Sequence, residues 1–407
     1  MKLAKIAFRN IKRNKKRSIL SIIATAIATF SMVFMFGYIE GMKVDMRDIS
    51  FNYDSGEVLI RNRDFDDKIS SLDRAVDGYK SVITLIERNY PDFLISPRLR
   101  FPSQIIKGER TFMSFGIAVD FAREVEYLDL KEKLVEGRIP IKSREVLMGV
   151  GLAEELELSL GDKFTPITMT RKGASSGITF ELVGKAKFSS GAYTNKSFLA
   201  PLDDVPMILR MEGAVSEILL KNVTEDDWES KAKDINNLLE QNGLNTLEAL
   251  PWTVVGLGYA MLEMADISYS IMAIFFFALS STVIANTMLM VVFERRKEIG
   301  TITAMGMTGG EVIRLFFIEA LYLGVLGATL GSLLGVILII PLSIYGIDLS
   351  SFGSTVDFGI SWMIYPQLRL KTLFLVFFYS VFVASFISFF PSRSASKVDP
   401  VEALRAE

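Results

Sequence analysis

Glu294 and Glu298 stand four residues apart around Arg295, Arg296 and Lys297, so a single helical turn would present two carboxylates on one side amid positive charge. The chemistry open to such a turn is polar docking of another protein, or no more than that of an ordinary charged connector. Glu319 is a lone carboxylate inside an apolar run, where it faces a partner, the bundle interior or water, or holds a proton. The chain contains no histidine and no cysteine. That removes Ser-His-Asp catalysis, Cys/His zinc sites and any disulfide framework. No G-x-x-x-x-G-K-[ST] loop and no EF-hand spacing occur either. No spacing singles out a Ser-Lys or paired-carboxylate enzyme, so the catalytic, cofactor and metal residues expected of this chain are none.

The elements around these residues point to a membrane. Apolar residues make up 50% of the 407, and they concentrate in Ser18–Ile39, Ser268–Phe293, Leu315–Leu342 and Thr372–Phe390. Each is long enough to cross a bilayer, and only the third carries a charge, Glu319. The net charge of −2 hides a basic start, with Lys2, Lys5, Arg9, Lys12, Arg13, Lys15, Lys16 and Arg17 before the first apolar run. Under the positive-inside rule this places the amino terminus in the cytoplasm, as a retained anchor rather than a cleaved signal. Nucleic-acid binding is not expected of charges that lead into a span.

The expected fold class is an α-helical membrane protein with four transmembrane helices and a large mixed α/β extracytoplasmic domain between the first and second. The expected order is a basic amphipathic segment (1–17), a span (18–39), the α/β domain (40–267) and a second span (268–293). A cytoplasmic turn (294–308), a third span (309–342), an outer loop (343–371), a fourth span (372–390) and a cytoplasmic tail (391–407) complete it. Within the insert, Val58 and Ile60 share a strand face, and a helix is expected over Ser81–Asn89, ending before Pro91. Leu152, Leu156 and Leu160 mark a short helix before a Gly161-Asp162 turn. Thr224 would cap a helix carrying Trp228, Ile235 and Leu239, ended by Gly243.

Beyond the charged turn, Gly300 and Gly306 allow close approach or bending, with Ala304 on the continuing surface, and Thr308 with Glu311 would cap the third membrane helix. In the tail, Asp399 at an N-cap, Pro400 in the first helical position and Glu402 three beyond the cap would start a further helix. Gly324, Gly327, Gly331 and Gly335 form a small-residue ladder suited either to a crowded bundle interior or to a seam between two chains.

These motifs, "AFRNIKRNKKRSIL", "ERRKEIGTITAMG" and "PSRSASKVDPVEALR", with "FGIAVDFARE", "EGRIP", "REVLMGVGLAEELELSLGD" and "FSSGAYTNKSFLAPLDDV" in the insert, resemble ABC-transporter permeases of the FtsX-like/MacB-like superfamily. The likeness runs from end to end and is greatest to lipoprotein-releasing permeases of the LolC/LolE type. It implies that Glu294, Arg295, Glu298, Gly300, Ala304 and Gly306 form a coupling helix against an ATPase. It also implies that Pro391, Asp399, Pro400, Glu402 and Arg405 set the tail against the same machinery. The partners implied are a dimer of ABC ATPase subunits, a second permease subunit (identical or related), a lipoprotein cargo, a periplasmic carrier and membrane lipid. ATP and magnesium would sit on the ATPase, and no cofactor on this chain. The segment "RLRFPSQIIKGERTFM" would engage a partner, with Phe101 and Pro102 at the tip of a hook-like loop, although the repeated prolines of such a hook are absent. The implied function is release of lipoproteins from the outer leaflet of the cytoplasmic membrane. Efflux of a peptide, antibiotic or lipid, and mechanical control of an extracytoplasmic hydrolase, are the alternatives.

Overall fold

The computed structural model describes residues 2–13, 15–65, 72, 74–222, 227–294, 300–301, 305–348, 363–389 and 393. The chain divides into two compact units. One comprises Met1–Val44, Met264–Leu349 and Met363–Glu407, and the other Asp45–Glu263 with Ser350–Trp362.

The first unit is helical. Three helices among the described residues are long and apolar enough to cross a membrane, within Ser18–Asp54, Gly309–Tyr345 and Leu370–Ile387, with mean hydropathies of 2.3, 2.4 and 2.0. The expected second span, 268–293, lies inside the helix Gly256–Glu294, much of whose side-chain set falls outside the described residues. The count of four spans is therefore an expectation, and three are what the described residues contain.

Two of these helices outrun the apolar runs that announce them. The first continues from Lys15 to Ile49, and the helix expected from 268 already starts at Gly256. Their lengths of 35 and 39 residues correspond to about 52 and 58 Å, against a hydrocarbon thickness of about 30 Å. Hydropathy reports only the stretch that lipid would cover. Charged residues such as Asp45, Asp48 and Glu263 end that stretch without ending the helix.

The second unit is a mixed α/β domain. Its main sheet runs, edge to edge, through strands 247–251, 58–62, 217–222, 93–107, 110–119, 197–201, 145–149, 180–186 and 134–137. The contacts 110–119 with 197–201 and 145–149 with 180–186 are parallel, and the others along this path are antiparallel. Alternation along the strands feeds two cores. Val58, Ile60, Ile218 and Leu220 enter one, while Leu59 and its cross-strand partner Leu219 enter the other.

The helix expected over 81–89 begins two residues earlier, at Tyr79, and ends at Asn89. Leu152 and Leu156 are buried as expected, but Leu160 is 38% exposed, because the helix stops at Glu155 and the chain turns before Leu160 is reached. The helix Trp228–Gln241 is capped by Asp227, whose carboxylate accepts from the Ser230 amide, whereas Thr224 lies outside the described residues. Ile235 and Leu239 of this helix enter the core; Trp228 instead stacks edge-on against Phe51 and Trp252.

Candidate functional site

The turn expected to meet a partner is described only at its margins. Glu294 ends the helix Gly256–Glu294, with its side chain outside the described residues, as are Arg295, Glu298 and Ala304 altogether. Gly300 is helical and buried. Gly306 has φ +99°, in the left-handed region that an L side chain rarely adopts, so this glycine is what lets the chain leave one helical turn and enter the next helix. That next helix starts with the expected capping box. The Glu311 carboxylate accepts from the Thr308 amide at 2.9 Å and from its hydroxyl at 3.0 Å, while the Thr308 hydroxyl caps the backbone three residues on. Of the tail, Pro391, Asp399, Pro400, Glu402 and Arg405 all lie outside the described residues.

The glycine ladder lies on the buried face of the helix Gly309–Tyr345. A Cβ added at Gly327 would come 2.6 Å from Thr25 Cβ, and one at Gly335 would come 2.6 Å from Val33 Cγ1. One at Gly331 would strike the Ala26 carbonyl and lie 2.7 Å from Thr29 Cβ. Gly324 faces Ala384 of the helix Leu370–Ile387 instead. The ladder therefore seats the helix Lys15–Ile49 within the same chain. On the opposite face Leu326, Leu330, Leu333, Leu334 and Ile337 are exposed, as suits a surface turned to lipid. Glu319 is only 5% exposed, so it belongs to the buried side of its helix.

In the α/β domain the expected hook does not form at Phe101 and Pro102. Both lie mid-strand in Phe93–Lys107, and the hairpin turns at Gly108 and Glu109. Phe101 is 2% exposed and packs edge-on against Phe198, because alternation sends it into the core. Pro102 is exposed opposite Phe115, and its carbonyl accepts from the Thr168 hydroxyl. The tip carries Lys107 and Arg110 rather than an apolar pair.

The same strand supplies residues whose role its sequence conceals. After Ile49 the first helix widens into a π-helical turn, Ser50–Asp54, closed by Ser55 N–H donating to the Ser50 carbonyl. A helix end leaves its last carbonyls unpaired, and here the domain supplies the donors. Tyr127 Oη donates to the Phe51 carbonyl at 2.8 Å. Arg98 donates to the Asn52 carbonyl at 2.7 Å and the Tyr53 carbonyl at 3.2 Å. Arg100 donates to the carbonyls of Tyr53 and Asp54, and Tyr193 Oη also donates to Tyr53.

Arg98 is held in turn by Glu124 at 2.7 Å, both side chains being 1% exposed, and by the Ser96 hydroxyl. Arg100 pairs with Glu217 on the neighbouring strand. Burial alone would lower the Arg98 pKa, yet Glu124 and the adjoining tyrosines hold it above the ordinary value. Burial pushes the Tyr193 phenol up to about 12, so it stays protonated and remains a donor at neutral pH. Lys221 completes the knot, donating to Asn52 Oδ1 at 3.0 Å and to the Tyr127 carbonyl at 2.8 Å. The signal that would have revealed it is "PRLRF": two arginines at alternate positions on one face of an otherwise apolar strand, where charge needs a buried partner.

Beside Arg100 opens an apolar groove of about 430 Å³ lined by Pro102, Phe115, Ile117 and Tyr193. A wider cleft of about 850 Å³ lies between Tyr79, Phe121, Ile139 and Leu202. Among the described residues no group of three or more His, Cys, Asp or Glu could hold a metal ion.

Residues 270–400 match the family described as FtsX-like permease C-terminal. An uncharacterized ABC transporter permease of Methanocaldococcus jannaschii is 24% identical over 418 residues, covering 98% of this chain and 97% of that protein. The lipoprotein-releasing system transmembrane protein LolC of Neisseria meningitidis is 23% identical over 287 residues, 65% of each chain. The macrolide export ATP-binding/permease protein MacB 1 of Aeromonas hydrophila is 32% identical over 124 residues, 30% of this chain and 17% of that protein.

Proposed function

From an FtsX-like permease domain at residues 270–400, in a chain similar along its length to an ABC transporter permease, we propose a permease subunit that turns ATP hydrolysis into release of lipoproteins from the outer leaflet of the cytoplasmic membrane. The observation that carries the lipoprotein reading is the alignment with LolC over 65% of both chains. In this reading hydrolysis belongs to a separate ATPase subunit, and this chain carries the motion. The turn at Glu294–Gly306 receives that work inside the cell. A second permease subunit, identical or related, completes the membrane assembly, and a carrier accepts the cargo outside. Withdrawing acyl chains from lipid costs about 0.8 kcal/mol per exposed CH₂, which is why such a cargo needs ATP.

The likeness to a MacB favours a second reading, efflux of a smaller amphiphile by the same motion. Reconstitution with the ATPase subunit and an acylated lipoprotein separates them. ATP-dependent appearance of that lipoprotein in the soluble fraction is expected. Vesicles that hydrolyse ATP and export a small amphiphile, while retaining the lipoprotein, would favour efflux.

A further inference from the structure

The knot at Ser50–Asp54 holds more than a helix end needs. Capping ordinarily uses one or two donors, whereas here four consecutive carbonyls, from Phe51 to Asp54, are bound by side chains from several separate elements. Arg98 and Arg100 lie on strand 93–107, which sits inside the sheet between strands 217–222 and 110–119. Glu217, on the first of those neighbours, anchors Arg100. Glu124 and Tyr127 sit on the helix Phe121–Tyr127, and Tyr193 on Gly191–Lys196. A pull on the carbonyls is thereby spread over the sheet rather than taken by one loop.

We propose that Arg98 and Arg100 are the positioning residues of a rigid joint, through which displacement of the helix Lys15–Ile49 is delivered to the α/β domain. The proposal rests on the reading of this chain as an ATP-driven permease. Arginine suits the task because its planar fork bonds two carbonyls and a carboxylate at once, which the point charge of lysine does not reproduce. Tyr127 and Lys221 reinforce the grip, the Arg98 guanidinium lying 5.2 Å and the Lys221 ammonium 5.1 Å from the centre of the Tyr127 ring.

A buried ion pair can also be simple core filling, so the test must separate grip from stability. Replacing such a pair jointly by apolar residues is often neutral for folding, whereas removing one partner is not. The variant Arg98→Met/Glu124→Leu therefore keeps an apolar core while deleting the donors to Asn52 and Tyr53. Since the chain has no cysteine, spin labels at Asp48→Cys, on the last turns of the helix, and Ile141→Cys, both exposed, report the distance distribution between the helix end and the sheet in the assembled complex.

The joint predicts a narrow distribution in the otherwise unchanged chain and a broad one in the double variant, at an unchanged thermal midpoint. It also predicts that a labelled triacylated lipoprotein is released about fivefold less per ATP, or worse, the lower end of coupling between distant sites. Arg100→Lys should give a milder broadening. Bridging Asn52→Cys and Lys221→Cys with a short thiol cross-linker should restore release to either variant, and, because a cross-link also stabilises the fold, that recovery should come without a matching rise in thermal midpoint. A narrow distribution with unchanged release in a folded double variant overturns the joint. If the double variant fails to fold, Arg100→Lys and the cross-link decide. If the unchanged complex releases no lipoprotein with ATP, the permease reading falls, and the distance distribution alone still judges the joint.

Discussion

At the residue scale, position decides what a side chain does. A glycine in the membrane unit is an approach surface. Leucine at Gly331 would drive side-chain atoms into the Ala26 carbonyl and Thr29, and overpacking of this kind costs about 1–3 kcal/mol. Gly331→Leu is expected to lower the thermal midpoint of the purified chain and its yield in assembled complex. A midpoint unchanged from the parent would mean that the two helices are not in contact there.

In the domain, the Arg138 guanidinium holds the Glu145 carboxyl down to about 2, with the amides of Ile141 and Lys142 assisting. A carboxyl depressed in the folded state contributes stability above its unfolded value of about 4.3, and loses it as pH falls towards the folded value. The midpoint should therefore drop between roughly pH 4.5 and 2 through this group, and Glu145→Gln should flatten that part of the profile. A variant profile parallel to the parent's across that window would show that the pair does not bear on stability.

At the scale of elements, the sequence was readable where one period or one cap governed the outcome. The capping box at Thr308 and Glu311 depends only on residues three apart, and it forms as expected. Thr308→Ala should destabilise the start of that helix by about 1 kcal/mol, visible as faster amide exchange over the first turn. Exchange at the parent's rate would remove the cap from the account.

Elements governed by distant partners were less legible. The run "RLRFPSQ" reads as a hook, yet pairing along its whole length with 110–119, and at Arg98 also with 217–222, makes it part of the strand Phe93–Lys107 and buries Phe101. The extension of the first helix to Ile49 was equally hidden, because its charged residues end the apolar signal while the carbonyls they precede are satisfied by arginines some 45 residues away. For the same reason the joint could not be read locally. The glycine ladder was recognised as a packing surface, but whether it faced the same chain or another depended on which helix lay beside it.

At the scale of the molecule, the proposed turn and the proposed joint belong to one line of transmission, from an ATPase to a domain across the membrane. Charge reversal at Glu294→Lys or Glu298→Lys should reduce ATPase copurification by tenfold or so while membrane insertion is unaffected, since a buried charged contact typically contributes on the order of 1.4 kcal/mol or more. Full ATPase recovery with both reversals would detach the turn from that role. The most direct measurement is the amount of acylated lipoprotein released per ATP from sealed vesicles holding this chain and its ATPase. The account predicts release that tracks hydrolysis and disappears when the ATPase binds ATP without cleaving it. Equal release with and without hydrolysis, or steady hydrolysis with the lipoprotein left in the membrane, would contradict it.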